Sequence, residues 1–380
     1  MKKYVHHLAE IIGPRPPTSE NEHRAALYLR DILSPLADRV DMEGFRSPVS
    51  FSWTFILLCG ITIMAAFTAH QELFWWGLPL SLVSLTVFVL EVNSWPLLSR
   101  LLPQKNSQNI IAHFKPIKKA QKTIVVTAHY DSSRAGIHFH PALVRGFRKS
   151  FLLLIFSLAL IPLLIILQLA LGPTAAAGYL MAAAAIYLLG NMLVLLHREL
   201  WGKDVAGGND NASGVAVLLG LAESLKRNPL QESSVWLVAT GCEEAGCYGL
   251  ISLLNNHHDS LQGASLINLD NIGIGQMKYT TGEGMLKLFP SSPWMVKELQ
   301  RLNTEKNLRL SPAENRLMNT DALAAMVRGL ESISLRAEDS EGHLPHWHWI
   351  TDTAERVSEE NLVQALSCTS ELMLSIDRER

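Results

Sequence analysis

Four stretches of this chain carry no charged side chain: 51–68, 73–90, 151–171 and 175–196. Each is close to the roughly 20 residues that an α-helix needs to cross a hydrocarbon core. A buried helix of a water-soluble domain is usually shorter and amphipathic, so the runs predict membrane spans. Short links, His70-Gln-Glu and Gly172-Pro-Thr, join them in pairs. Each pair is therefore expected to form a helical hairpin that leaves and returns on one side. Pro79 and Pro162 lie inside spans, where proline is tolerated better than in soluble helices. Trp53, Trp75, Trp76 and Trp95 sit near the ends, where an aromatic belt would place them. No ionisable side chain interrupts any run. A transporter or proton pump normally needs one, so the hairpins are expected to be anchors.

The composition follows from this division. Overall 48% of residues are hydrophobic and 18% charged, low in charge for a soluble enzyme, and the apolar excess sits in the four runs. The formal net charge of -2 offers no basic field for nucleic acid. Met1-Lys-Lys-Tyr-Val-His-His has no apolar core behind its lysines and does not read as a secretory signal. Cys59, Cys242, Cys247 and Cys368 show no framework spacing, so they are expected to be reduced thiols. The links within the pairs lack Lys and Arg, whereas the outer flanks carry Arg46, Arg100, Lys105, Arg145, Arg148, Lys149, Arg198 and Lys203. Positive flanks stay cytoplasmic. The expected location is the cell (inner) membrane, with the polar part of the chain in the cytoplasm.

Removing the hairpins leaves one polar domain, 1–50, 98–149 and 198–380, reading as alternating strands and helices. Ser19 is placed to N-cap a helix, with Glu22 completing a capping box. Helices are expected over 215–225 and 359–376, and a strand over 332–336. Three strand-like runs end in chemistry. The run 123–128 leads into His129-Tyr-Asp131, 234–240 into Glu243-Glu244, and 265–269 into Asp270. In an open α/β sheet the ligand crevice lies at the carboxyl ends of the strands, so these residues can converge. Gly207-Gly-Asn-Asp210-Asn-Ala-Ser-Gly214 lies between the first two, and His348-Trp-Ile-Thr-Asp352 near the end.

His, Asp and Glu in such a crevice suit divalent metal. Zinc takes imidazole nitrogen and carboxylate oxygen and leaves a place for water; a bridging carboxylate holds two metals that act together. His129 is a candidate ligand. Asp131, two residues on along a strand, points the same way and can accept the other imidazole N–H, which fixes the tautomer. Glu243 and Glu244 are adjacent, so on an extended backbone one can bind metal while the other faces water as general base. Singly these motifs are weak: a lone H-x-D is more often a core histidine, and a Glu-Glu pair a solvated surface. Their order and strand-end placement carry the signal.

With Ile12-Gly-Pro-Arg-Pro, Ala128-His-Tyr-Asp-Ser132, Asn209-Asp-Asn-Ala-Ser-Gly214, Glu243-Glu-Ala-Gly246, Asn268-Leu-Asp270 and His348-x-x-x-Asp-Thr353 in that order, the chain resembles metallopeptidase family twenty-eight. These are the two-zinc aminopeptidases of clan MH, whose relatives include aminopeptidase Y, glutamate carboxypeptidase and glutaminyl cyclases. The resemblance spans nearly the whole polar domain. It implies an α/β fold, a zinc-peptidase-type mixed sheet with helices on both faces, here with two inserted transmembrane hairpins. It implies two Zn2+ per chain, His129 and Asp270 on one, Glu244 and His348 on the other, and Asp210 bridging. Glu243 would be the base and Asp131 would act through His129. It further implies a cis Asp210–Asn211 bond. The family's last ligand stands four residues before the Asp of the Asp-Thr pair, which selects His348 over His343 and His346. Trp347 stands where the family usually has Tyr, and Thr320-Asp321-Ala322 where it often has Ser-Asp-His, leaving Asp321 without a role.

The implied activity is a membrane-anchored aminopeptidase acting on peptides at a bilayer. A glutaminyl cyclase on the same fold, or a scaffold without chemistry, is the alternative; the Asp-Asn-Ala-Ser-Gly run matches the peptidases better, and no ligand position is lost. The second hairpin leaves the domain between His129 and Asp210, which predicts a site near the bilayer. The substrate side chain, native metal and oligomeric state are not legible. His138 and His140 are expected in interfacial loops, and Arg145, Arg148 and Lys149 as juxtamembrane anchors. His6 and His7 are expected on an exposed helix, and His257-His258-Asp259 in a solvated turn.

Overall fold

The computed structural model describes residues 1–379; Arg380, the last residue of the expected catalytic domain, lies outside them. Among the described residues nine strands form one sheet: β1 (Arg39–Pro48), β2 (Gln104–Phe114), β3 (Lys122–His129), β4 (Ser233–Thr240), β5 (Ser265–Leu269), β6 (Gln276–Glu283), β7 (Phe289–Pro290), β8 (Ser311–Asn315) and β9 (Glu331–Glu338). Their order is β1-β2-β4-β3-β5-β9-β6-β7, with β8 beside β6. The centre, β4-β3-β5-β9, is parallel, and antiparallel pairs flank it at β2–β4 and β6–β9.

Side chains alternate across a strand, and here both faces are buried. Ile124, Val126 and Ala128 of β3 join Val215, Leu219, Leu362 and Leu372 in one core. Val125, between them, joins Leu250, Leu253 and Ala325 in a core on the other face. The helices supplying these layers are Gly214–Arg227, Tyr248–Asn256, Asp321–Met326 and Glu359–Arg378. The helix at Glu20–Leu33 starts as the sequence predicts at its cap: Ser19 Oγ accepts the Glu22 N–H at 3.1 Å. The reciprocal bond differs, since Glu22 Oε2 takes the N–H of Thr18 at 2.7 Å.

The chain divides into two compact units. One comprises Met1–Val49, Pro103–Arg134 and Asp204–Arg380; the other comprises Ser50–Leu102 and Ala135–Lys203. The second unit contains the helices Ser52–His70, Phe74–Val92, Phe147–Leu171 and Ala175–Trp201, each long and apolar enough to cross a membrane. They outrun the charge-free stretches, so Glu91, Arg148, Lys149, Arg198 and Glu199 lie on helical ends. Small and hydroxylated residues let the first pair approach closely. A Cβ on Gly77 would stand 2.8 Å from the Ala65 carbonyl oxygen, and Thr62 Oγ1 meets Ser84 Oγ at 2.8 Å. The outer faces are apolar: Phe67, Val83, Phe156 and Ile186 are all exposed. These helices support an integral-membrane assignment.

Two histidine expectations need correction. His7 is half-buried and stacks on Tyr28 at 3.8 Å between ring centroids, because the first helix packs on the second. His257 is not in a free solvated turn; its Nε2 meets Glu43 Oε1 at 2.6 Å and its ring packs edge-on against Trp236.

Candidate metal centre

The parallel register puts His129 opposite Thr240 at the ends of β3 and β4. Glu243 and Glu244 follow β4 within a few residues, and Asp270 follows β5 directly. Three crossover connections thus open at one sheet edge, as the crevice rule requires. Asp210 comes from the turn before the helix Gly214–Arg227, and His348 from the loop after β9. The Asp210–Asn211 peptide bond is cis.

These side chains meet. Asp210 turns one oxygen to each histidine: Oδ1 lies 3.2 Å from His129 Nε2 and Oδ2 3.2 Å from His348 Nε2. Asp270 Oδ1 is 3.6 Å from His129 Nε2, and Glu244 Oε1 is 3.1 Å from His348 Nε2. Two clusters result, His129–Asp210–Asp270 and Asp210–Glu244–His348, each with ligand atoms within 4.8 Å of one another and Asp210 common to both. Glu243 belongs to neither; its Oε2 stands 4.0 Å from His129 Nε2. The competing histidines stay outside. His343 faces Asp339 at 3.7 Å and His346 bonds Thr351 Oγ1 at 2.7 Å.

The donor set fits divalent cations. Carboxylates of Asp131, Asp210, Glu243, Glu244 and Asp270 crowd two imidazoles, all nearly or wholly buried. Buried carboxylate is costly unless paired or bound to metal. Among the described residues Asp210 Oδ2 and both Glu244 side-chain oxygens have no hydrogen bond of good geometry, although His348 Nε2 stands close to Asp210 Oδ2 and Glu244 Oε1, an arrangement that suits an ion site better than a closed network. The protonation balance shows the same excess of negative charge. Burial pulls the His129 imidazolium down, but Glu243, Asp131, Asp210 and Asp270 outweigh it and hold its pKa well above the usual value. His348 is likewise opposed by burial yet raised to about 9 by Glu244 and Asp210. Burial drives the Glu243 carboxyl well up against the pull of His129, with Glu244 and Asp270 adding to the rise.

Asp131 does something the sequence did not reveal. Its Oδ1 and Oδ2 accept the backbone N–H groups of Glu243 at 3.1 Å and Glu244 at 3.0 Å. The His129 Nδ1 instead lies closest to the Asp131 backbone oxygen, 3.2 Å, with Oδ1 at 3.5 Å. The expected carboxylate–imidazole bond is therefore secondary, because the carboxylate is occupied in holding a turn. The two glutamates lie on that turn rather than on extended backbone, with the Glu243 carbonyl accepting from Gly246 and Cys247.

Asp352, noted from sequence only as a register mark, has a matching job. Its carboxylate takes the N–H of Asn209 at 2.6 Å and of Asp210 at 3.0 Å. Burial raises its pKa to about 7 against those two N–H groups. Gly208 allows this approach, since a Cβ there would strike the Thr353 backbone. Arg15, of the Gly-Pro-Arg-Pro motif, is wholly buried and donates to Tyr130 O at 2.7 Å, Ala206 O at 2.8 Å and Gly207 O at 3.1 Å. It pins the strand end bearing His129 to the turn bearing Asp210. Cys242, Asn271 and His348 have φ of 52°, 54° and 49°. Such left-handed backbone in non-glycine residues gathers at functional sites. Asp321 does acquire a partner, Thr240 Oγ1 at 2.6 Å, but it joins neither ligand cluster.

A cleft lies beside the centre, bounded by Asp210, Glu243 and Asp270 and by Asn315, Arg336 and Trp347.

A family model for Peptidase family M28 matches residues 192–373, a span holding every cluster residue except His129. The alkaline phosphatase isozyme conversion protein of Escherichia coli (strain K12) is 42% identical over 83 residues, 21% of this chain and 24% of that protein. Among solved structures, a zinc aminopeptidase from Bacillus subtilis aligns with a TM-score of 0.58 at 15% identity, covering 100% of this chain and 95% of that one. A glutaminyl cyclase from Bacteroides thetaiotaomicron aligns with 0.58 at 15%, covering 100% and 97%. Fold and family model together link the chain to the M28 metallopeptidase clan. Aminopeptidases and cyclases share the fold equally, so it does not separate them. The donor clusters on this fold could hold one or two divalent cations.

Proposed function

We propose that this chain is a membrane-anchored, two-zinc aminopeptidase that removes N-terminal residues from peptides. The observation that carries it is Asp210, with one carboxylate oxygen facing each of two histidine–carboxylate clusters. In this reading His129 and Asp270 hold one ion, Glu244 and His348 the other, and Asp210 is shared. Zinc, when bound, polarises the scissile carbonyl and acidifies the attacking water. Glu243, beside both clusters and part of neither, takes the proton from that water and returns it to the leaving amine. Asp131 and Asp352 keep the backbone of Glu243–Glu244 and Asn209–Asp210 in place, and Arg15 ties the two segments together.

The test offers purified protein peptides with free amino termini, blocked amino termini and N-terminal Gln, with and without chelator. Chelator-sensitive release of the first residue from free amino termini is expected. Cyclisation of N-terminal Gln without hydrolysis would replace the reading with a glutaminyl cyclase, and no turnover of any peptide would leave a scaffold.

The sheet-bearing unit is proposed to face the cytoplasm, on the strength of cationic flanks outside the hairpin links. The native cysteines are buried, so labelling of introduced ones is readable. In intact cells Gly172→Cys should react with an impermeant thiol reagent and Ala120→Cys should not; the reverse pattern overturns the orientation.

A further inference from the structure

The cleft beside the metal centre is lined by an arginine that the proposed reaction does not use. Arg336 lies on β9, two residues beyond Ser334, and both line the cleft. Only 4% of Arg336 is exposed. Its Nε donates to Glu338 Oε1 at 2.8 Å, and Nη2 contacts the same oxygen. Glu338 is two residues further along the strand, so its side chain emerges on the same face. The ion pair therefore fixes the arginine's plane from one side. Nη1 donates to no acceptor among the described residues, leaving an edge of the fork unused.

Several neighbouring polar groups are already committed. Asn315 Nδ2 donates to Glu283 Oε2 and to the Met318 carbonyl, at 3.2 and 3.0 Å. Thr320 Oγ1 donates to Glu283 Oε2 at 2.5 Å. Ser334 Oγ accepts from Asn268 Nδ2 at 3.2 Å. Of the carboxylates lining the cleft, Asp210 and Asp270 belong to the metal clusters and Glu243 is the proposed base. Arg336 is thus the cation available to a molecule lying in the cleft, and it is held rigid before anything binds. An arginine anchored in one plane suits a planar anion that can take its remaining N–H groups.

We infer that Arg336 makes this cleft a carboxylate subsite, so that favoured substrates carry a carboxylate close to the scissile bond. This rests on the peptidase reading and names its substrate class. The carboxylate has two possible sources: the side chain of an N-terminal Asp or Glu, or the free C-terminus of a dipeptide. A bare structural ion pair would give no preference between acid and amide.

The experiment compares the zinc-loaded wild-type protein with Arg336→Met and Arg336→Lys. Glu-Ala-amide against Gln-Ala-amide reads the side-chain source; Ala-Ala against Ala-Ala-amide reads the terminal source. One acid of the two pairs should be preferred over its amide by roughly ten- to a hundredfold in kcat/KM, the range of a hydrogen bond to a charged group. Arg336→Met should erase that preference mainly through KM, the acid losing far more than its amide, and be partly rescued by Arg336→Lys. Calorimetric titration with L-glutamate, L-glutamine, Ala-Ala and Ala-Ala-amide supplies a second readout that needs no turnover. Acid-selective binding lost in Arg336→Met, with no hydrolysis, would sustain the subsite while refuting the aminopeptidase. Equal handling of acid and amide in both pairs, or a preference that survives Arg336→Met, refutes the subsite.

Discussion

Asp210, Glu243 and Glu244 are ionisable side chains withdrawn from water, whereas Phe67, Val83, Phe156 and Ile186 are apolar side chains left on the outside of their unit. The two units depart from ordinary globular burial in opposite directions. In the sheet-bearing unit, carboxylates converge on two histidines, and among the described residues several of their oxygens have no hydrogen bond of good geometry. In the helical unit it is hydrocarbon that is uncovered. Each departure fits a component from outside the chain: divalent cations for the first, lipid for the second. An unsatisfied charge and an unburied side chain are thus both statements about environment, and they can be tested separately.

The largest effect should come from removing the shared ligand. Asp210→Ala is expected to abolish bound zinc, measured by atomic absorption, and to lower turnover by more than any single proton-transfer defect. An Asp210→Ala protein that keeps both ions would break the cation half of the comparison. Glu243→Gln comes next. It should retain the zinc stoichiometry and the fold while kcat falls by roughly 10²–10⁴, the range of general-base catalysis; near-normal peptidase activity would remove Glu243 from its role. Asp131→Asn and Asp352→Asn act a layer further out, through backbone N–H groups. Each should weaken zinc roughly 10–100-fold, read by competition with a chelating dye, and unaltered affinity would make both purely structural.

The lipid half calls for a paired substitution. Ile186 in the helical unit and Val363 in the sheet-bearing unit are both exposed, at 70% and 53%. Ile186→Asp should cost about 2.5–3.5 kcal/mol of membrane insertion, seen as protein lost from the carbonate-resistant membrane fraction. Val363→Asp faces water and should stay within about 0.5 kcal/mol, seen as an unchanged melting temperature. Equal tolerance at the two positions would mean that both surfaces meet the same solvent.

The apolar runs were legible because their signal is local: unbroken hydrocarbon over a span needs no partner to be recognised. The strand ends were legible for a related reason. β-rich runs stop at His129, Glu243 and Asp270, and strand-end placement follows from the parallel topology. What tertiary structure alone decided is how the ligands are held. Asp352 reaches Asn209 across 143 residues, Asp131 reaches Glu243 across 112, and Arg15 reaches Gly207 across 192. These are bonds from side chain to backbone, so the accepting or donating residue imposes no side-chain identity that could appear as a motif. Arg336 differs, since its anchor is the side chain of Glu338 two residues on; what its strand pattern does not announce is its place beside Asp210 and Asp270. Residue type and order along the chain determined which ligands were present and where the hydrophobic spans ran. The turn holding Glu243 and Glu244 and the two-sided placement of Asp210 depend on long-range hydrogen bonds and packing, which become specified only when the sheet brings distant segments together.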